Sequence, residues 1–171
     1  MTSLLLSDLD GTLRQTKSGK TFINDPTDQK IIDGVQENLA SHYSHWKLIG
    51  ITNQGGVPKY KSMEIAIAEQ KYTLSLLPQL EAIYFCPGFQ GDQYWKVDRN
   101  GVYCGERRYT NPKTQQPISF RKPGHGMLLA AIEDVGHYAE ILYIGDRTED
   151  EQAALAANVP FLWASQWLKS M

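Results

Sequence analysis

The sequence predicts an α/β fold, a doubly wound parallel sheet of five strands with helices on both faces. Three observations point to it. Apolar runs of strand length alternate along the chain with longer runs of helical period, a pattern that builds parallel sheets covered on both sides. The strand runs are apolar throughout rather than at every second residue, as strands buried on both faces must be. Several end in acid, amide or hydroxyl side chains beside glycine, at the edge where open α/β sheets bind ligands.

Residues 3–9 (SLLLSDL) form the first strand, and Gly11 turns the chain. Residues 14–25, with Lys17, Gly19 and Lys20, read as a polar flap. Pro26 and Asp28 precede a helix with Ile31, Ile32, Val35 and Leu39 on one face. Residues 46–52 (WKLIGIT) form the second strand, broken by NQGGV at 53–57. Residues 59–77 carry a long helical pattern with Met63, Ile67 and Leu74 among its apolar positions, ended by Pro78. Residues 81–86 (EAIYFC) form the third strand. Residues 87–123 then show little periodicity, and loops that long are functional or are structured by something else. Residues 126–135 form a helix, 141–145 the fourth strand, 149–158 an Ala-rich helix, 159–163 the fifth strand and 166–168 a terminal turn. The expectation is one Rossmann-like domain over residues 1–171, with no region long enough for a separate cap domain.

Composition narrows the class. The 171 residues are 42% hydrophobic and 21% charged, ordinary for a globular chain that can bury its own core. Two cysteines, Cys86 and Cys104, exclude a disulfide-rich scaffold and a four-cysteine zinc site. No apolar run approaches an export signal or a membrane span, so a cytoplasmic protein with no membrane partner is expected. The net charge of −2 conceals a division. Residues 84–122 hold seven basic residues against three acidic, whereas 133–151 hold seven acids against Arg147 alone.

The strand ends carry the chemistry. Asp8 and Asp10 close the first strand, two residues apart. Thr52, Asn53 and Gln54 close the second, Arg121-Lys122-Pro123 precede the third helix, and Asp146 and Arg147 close the fourth strand with Asp150 one turn further on. Three carboxylates together suit a hard divalent cation such as Mg²⁺, and a lysine beside them suits a phosphate. Taken singly, each piece has an ordinary reading as a turn, a strand cap or a solvated loop. The ordered set, each member at the correct end of its strand, points to a site.

With these residues in view, the chain resembles the haloacid dehalogenase-like hydrolases. DLDGTL at 8–13, ITN at 51–53, RKP at 121–123 and GDRTED at 145–150 are similar to that family's four motifs. DGVQENL at 33–39, TNQGG at 52–56, AIYFCP at 82–87, RKPGHGMLLAA at 121–131 and GDRTEDEQAALAANV at 145–159 resemble the histidinol-phosphate and heptose-bisphosphate phosphatases. SGKTF at 18–22, followed by Pro26 and Asp28, is similar to the 3′-phosphatase domain of polynucleotide kinase-phosphatases.

The resemblance implies a Mg²⁺-dependent phosphomonoester phosphatase working through an aspartyl-phosphate. Asp8 would be the nucleophile and Asp10 the general acid and base. Mg²⁺ would be held by Asp8, the Asp10 main-chain carbonyl and Asp146, with Asp150 either reaching it through water or orienting Lys122. Thr52, Asn53 and Lys122 would bind the phosphoryl oxygens, and Arg14, Lys20, Arg121 and Arg147 are candidate substrate contacts. The same reading has negative neighbours raising the pKa of Asp10 while Mg²⁺ lowers that of Asp8.

One departure bears on substrate. Sugar-phosphate relatives often carry a structural zinc in the long loop on a Cys-x-His and a Cys-x-Cys pair. Here those places read Cys86-Pro87-Gly88 and Ile118-Ser119-Phe120, so no structural zinc is expected. The loop is instead rich in aromatics (Phe89, Tyr94, Trp95, Tyr103, Tyr109, Phe120), which either form a small core or line a pocket. The expected partner is an anionic phosphorylated substrate, a small metabolite such as a sugar phosphate or histidinol phosphate ahead of a nucleic-acid end. The alternative is a polynucleotide 3′-phosphatase, favoured by the flap and the positive overhang. A non-catalytic binding module is the remote alternative, opposed by the intact acids and lysine.

Overall fold

Successive side chains leave a strand on opposite sides, and that alternation sets the architecture. In β1 (Ser3–Ser7), Leu4 and Leu6 enter one core and Leu5 the other, and all three are fully buried. The structure, a computed structural model, describes residues 1–170. After β1 come β2 (Arg14–Gln15), β3 (Lys30–Ile31), α1 (Val35–His42), β4 (Trp46–Gln54), α2 (Met63–Leu76) and β5 (Leu80–Pro87). Then follow β6 (Trp95–Asp98), β7 (Val102–Cys104), α3 (Gly126–Val135), β8 (Ile141–Gly145), α4 (Thr148–Ala156), β9 (Phe161–Trp163) and α5 (Ala164–Lys169).

The main sheet has the order β7-β6-β5-β4-β1-β8-β9. Its five members β5-β4-β1-β8-β9 are parallel, the five-stranded sheet expected. Leu4, Leu6, Ile49, Ile51 and Tyr84 pack on one face with Met127 and Leu128 of α3 and Ala153 and Ala154 of α4. Leu5, Leu48, Ile83 and Phe85 pack on the other with Val35 and Leu39 of α1, Ala66 and Leu74 of α2 and Trp167 of α5. Strand order reverses around β1, which lies between β4 and β8. The carboxyl ends of these three strands therefore flank the crevice such sheets use for ligands.

Three expectations need correction. Residues 87–123 are not irregular throughout: β6 and β7 form an antiparallel hairpin that extends the sheet to seven strands. Its turn is built locally, with the Asp98 carboxylate accepting from the main-chain N–H of Asn100 and Gly101. Strands of four and three residues are too short to show a period. The flap expected at 14–25 is part of a longer excursion closed where Arg14 pairs with Ile31 and Gln15 with Lys30. The terminal turn is a helix, α5, seated by the fully buried Trp167.

Most aromatics of the long loop pack into the two main cores, Tyr94, Tyr109 and Phe120 on the α3 face of the sheet and Trp95 on the other. Tyr94 and Phe120 are buried with ring centroids 4.6 Å apart. Arg107 donates to the Tyr94 hydroxyl at 3.0 Å and pairs with Asp134 of α3 at 2.9 Å. The Tyr84 hydroxyl also donates to Asp134, and the Tyr109 hydroxyl donates to Glu133 at 2.5 Å. Phe89 and Tyr103 are the exceptions, both exposed. Cys86 is buried, with its thiol pushed up to about 11 by burial, and Cys104 is exposed on β7. Among the described residues no helix is long and apolar enough to cross a membrane.

Candidate active site

β1 fixes Asp8. Its N–H donates to the Ile144 carbonyl at 2.9 Å, so the residue just past the strand stays in the parallel ladder. The Asp8 carboxylate is buried, accepting from Lys122 Nζ at 2.9 Å and Thr12 Oγ1 at 3.2 Å. Lys122 also donates to the Ile51 carbonyl at 2.9 Å and to Asp150 Oδ1 at 2.6 Å, with the Tyr143 hydroxyl at 3.2 Å. Burial works against its charge, but Asp8 leads the groups that outweigh it, and the ammonium is held protonated well past its ordinary range.

Asp150 is spent on organising its neighbours. Oδ1 accepts from Lys122 and from the Tyr143 hydroxyl at 2.8 Å. Oδ2 accepts from the main-chain N–H of Asp146 at 3.2 Å and Arg147 at 3.1 Å, which caps the start of α4. With both oxygens engaged, Asp150 fits the orienting role of the two foreseen for it. Gly145 leaves room for this, since a Cβ there would come within 2.5 Å of the Asp150 side chain.

Asp146 is exposed at the end of β8. Each of Asp8, Asp146 and Asp150 offers an oxygen within 4.8 Å of the others. Gly11 has φ +87°, and a Cβ there would overlap Asp146 Oδ2, so glycine is required on both counts. The clustered oxygens fit a hard divalent cation, which Asp8 and Asp146 could hold directly. Among the protein's own groups, burial pushes the Asp8 carboxyl up, and Asp150, Asp146 and Asp10 add to it against the pull of Lys122. Close carboxylates of this kind call for a compensating cation.

Asp10 sits differently. Its side chain is half exposed, and Arg14 grips both its oxygens, with Nε–Oδ1 at 2.9 Å and Nη2–Oδ2 at 3.3 Å. Desolvation lifts the Asp10 carboxyl, but the Arg14 charge and hydrogen bonds, with Lys61 and Lys122 beyond, leave it below the ordinary range. This corrects the expectation that negative neighbours dominate there: the nearest charged neighbour is a guanidinium.

The remaining expected residues divide. Thr52 is buried with its hydroxyl 3.4 Å from Asp10 Oδ2. The Asn53 carboxamide clasps the Lys122 main chain, Nδ2 donating to its carbonyl and Oδ1 accepting its N–H, each at 3.0 Å. Its side chain is thus committed to Lys122 rather than open to a phosphoryl group. Arg14 is fully buried with its bonds turned inward, which corrects its expected place as a substrate contact. Arg121 donates to the Gly88 carbonyl at 3.0 Å and lies 4.5 Å from the exposed Phe89 ring. Lys20 is exposed in the flap, and Arg147 is exposed at the start of α4.

Sequence reasoning missed several members. Tyr143 lies inside the apolar strand β8, where nothing in the sequence sets it apart from core. Gln54, named at its strand end but given no role there, has Nε2 3.5 Å from Asp10 Oδ2 and 3.1 Å from Thr52 Oγ1. Glu69, Gln70 and Thr73 of α2 are fully buried behind Arg14. A signal for these existed: with Ala66 they recur at helical spacing along one stripe.

The comparisons with known proteins bear on the family. Residues 3–159 match the family described as polynucleotide kinase 3 phosphatase. The chain is 27% identical over 172 aligned residues to a Haemophilus influenzae D-glycero-beta-D-manno-heptose-1,7-bisphosphate 7-phosphatase, covering 93% of this chain and 79% of that one. The enzyme of the same name from Escherichia coli K12 is 29% identical, covering 89% and 73%. A Lactobacillus plantarum crystal structure assigned as a phosphoglycolate phosphatase aligns with TM-score 0.54 at 17% identity, over 99% of this chain and 88% of that one. That last likeness is one of fold.

Proposed function

This chain belongs to the polynucleotide kinase 3 phosphatase family, within the haloacid dehalogenase-like hydrolases, and from that premise we propose that it hydrolyses phosphomonoesters at the Asp8–Lys122 site, in the cytoplasm. One observation carries the reading. A buried lysine stands 2.9 Å from a buried carboxylate, with a second carboxylate, Asp146, beside them. A structural core gains little from such a grouping, whereas phosphoryl transfer needs cations around an anionic nucleophile.

In this reading Asp10, held below its ordinary range in the free site, is raised and takes up a proton when the negative charge of the bound phosphate stands beside it. Asp8 then attacks phosphorus, the bond from phosphorus to the leaving oxygen breaks, and Asp10 gives that oxygen the proton. The phosphoryl group then sits on Asp8. Asp10 takes a proton from water as the water oxygen attacks phosphorus, the bond to Asp8 breaks, and phosphate leaves. Lys122 balances the negative charge gathered on the phosphoryl oxygens. Thr52 is placed to donate to one of them, and Asn53 acts by fixing the Lys122 main chain. Asp8, Asp146 and the Asp10 main-chain carbonyl would hold Mg²⁺, which when bound offsets the repulsion between carboxylate and phosphate. Asp150 orients Lys122. In this reading the flap, with Phe89 and Arg121 from the long loop, takes the place of a cap.

The substrate we favour is a small phosphorylated metabolite of the sugar-phosphate class. It is supported by the heptose-bisphosphate phosphatases that align with about nine-tenths of the chain. A second reading, a 3′-phosphorylated nucleic-acid end, is favoured by the exposed Phe89 ring stacked on Arg121, a platform on which a base could lie. Turnover of heptose 1,7-bisphosphate, histidinol phosphate and a 3′-phosphorylated oligonucleotide, each with Mg²⁺ and with EDTA, separates them. Preference for the oligonucleotide with steep loss in salt reverses the ranking. No hydrolysis of any phosphomonoester with any divalent metal overturns the proposal.

A further inference from the structure

Behind Asp10 lies a closed polar circuit that the phosphate chemistry does not touch. Arg14, fully buried, holds both oxygens of Asp10 with Nε and Nη2 and turns Nη1 to Gln70 Oε1 at 2.8 Å and Thr73 Oγ1 at 2.6 Å. The Thr73 hydroxyl donates to Gln29 Oε1 at 2.5 Å. Gln29 Nε2 donates to the Pro26 carbonyl at 2.7 Å and the Glu69 carbonyl at 3.1 Å. The Glu69 carboxylate, fully buried, pairs with Lys61 at 2.6 Å. Lys61 also donates to the Ile23 carbonyl at 2.8 Å and to Gln54 Oε1 at 3.3 Å, and the Gln54 amide returns to Asp10.

The circuit balances two cations, Arg14 and Lys61, against two carboxylates, Asp10 and Glu69. An apolar stripe would pack α2 against the sheet without the cost of burying charge. What a satisfied network adds is a single orientation. Asp10 is half exposed and, alone, would turn between rotamers; a two-pronged guanidinium contact fixes the plane of its carboxyl. Three of the circuit's partners, Ile23, Pro26 and Gln29, lie in the excursion between β2 and β3. The orientation of Asp10 and the seating of the flap therefore share one set of hydrogen bonds.

We propose that Arg14, backed by Gln70, Thr73 and Gln29, is a positioning residue that aims the Asp10 carboxyl at the leaving-group oxygen and makes that aim depend on a seated flap. The proposal rests on the reading of Asp10 as general acid. It predicts a dependence on leaving group, because an alkoxide needs a proton to depart and a nitrophenolate does not.

The test compares kcat/KM, which reports the steps through departure of the leaving group, on an alkyl phosphate and on p-nitrophenyl phosphate. Arg14→Lys keeps the charge and loses the fork. It should lower kcat/KM on the alkyl ester by roughly 10- to 100-fold, leaving kcat/KM on the aryl ester within about threefold. In an Asp10→Asn background it should cost nothing further. Gln29→Leu, which frees the flap from Thr73, should lower kcat/KM on the alkyl ester and speed tryptic cleavage after Lys17 and Lys20. Equal losses of kcat/KM on both esters, an unchanged kcat/KM on the alkyl ester, or costs that add to that of Asp10→Asn would overturn the proposal. A full kcat/KM on the alkyl ester in Asp10→Asn alone would instead overturn the general-acid reading. Should Arg14→Lys fail to fold by circular dichroism, Gln70→Leu and Thr73→Val carry the same comparison with both charges in place.

Discussion

Asp150→Asn is the sharpest probe of how the site is held together. The Asp150 side chain is 2% exposed and accepts from four donors: Lys122, the Tyr143 hydroxyl and two main-chain N–H groups at the start of α4. Asparagine preserves the shape, removes the charge and replaces one oxygen with a donor. If that NH₂ faces α4, both capping bonds are lost, at a cost of about 1 kcal/mol. If it faces Lys122, it meets an ammonium and a hydroxyl already aimed at an acceptor. Either way the buried ion pair is broken, a loss of about 3–5 kcal/mol. Asp8 stays 2.9 Å from Lys122 as a counter-ion, so the lower end applies, about 3 kcal/mol. At roughly 2–4 °C per kcal/mol for a chain of this size, Tm should fall by about 6–12 °C. Thermal melts by circular dichroism, backed by urea titrations, measure it. In a double-mutant cycle with Lys122→Met the two losses should fall short of additive by at least about 1 kcal/mol. A fall in Tm under about 2 °C, or full additivity, would refute the view that Asp150 works through Lys122.

Gly11→Ala places a Cβ against Asp146 at φ +87°, so the Mg²⁺ concentration for half-maximal turnover should rise at least about tenfold, with a backbone cost of about 1–3 kcal/mol; metal titration of activity reads the first and a melt the second. Desolvation raises the Asp134 carboxyl, but Arg107 and Tyr84 outweigh it and hold the carboxyl below its ordinary range. Its contribution is thus complete above the unfolded pKa and disappears as pH falls through the folded one. Asp134→Asn should be less stable than the parent at pH 6 by about 1 kcal/mol, with the gap shrinking toward pH 3, as urea titrations at the two values would report. Phe89 is 68% exposed against Arg121, so Phe89→Ala should leave Tm within about 2 °C while raising KM for the preferred substrate several-fold, by steady-state kinetics and a melt.

Much of the fold was legible because its signals are local. Leu4 to Leu6, Ile49 to Ile51 and Ile83 to Phe85 are continuous apolar runs, and burial on both faces leaves no alternative to a covered parallel sheet. The rim acids were legible for the same reason: a charged residue directly after such a run has nowhere to go but the strand end. β6 and β7 stayed hidden because pairing makes them strands: β6 is held by β5, ten and more residues away, and β7 in turn only by β6. The buried stripe of α2 is not legible from sequence because Glu69, Gln70 and Thr73 are polar, and polarity at helical spacing ordinarily marks a solvent face.

The linear order of residues was enough to set the α/β class, the sequence of strands and the identity of the residues at the rim, since each follows from local periodicity and chain direction. Which oxygen each side chain meets was decided only in three dimensions. Arg14 carries the charge of a substrate contact and faces inward because α2 presents Gln70 and Thr73 to it. Asp150 has the chemistry of a metal ligand and is spent on Lys122, Tyr143 and the α4 N-terminus. Asn53 could meet phosphate and holds the Lys122 main chain instead. Each is a contest among partners brought together from distant parts of the chain, and a buried polar group goes to whichever partner satisfies it most fully once water is excluded.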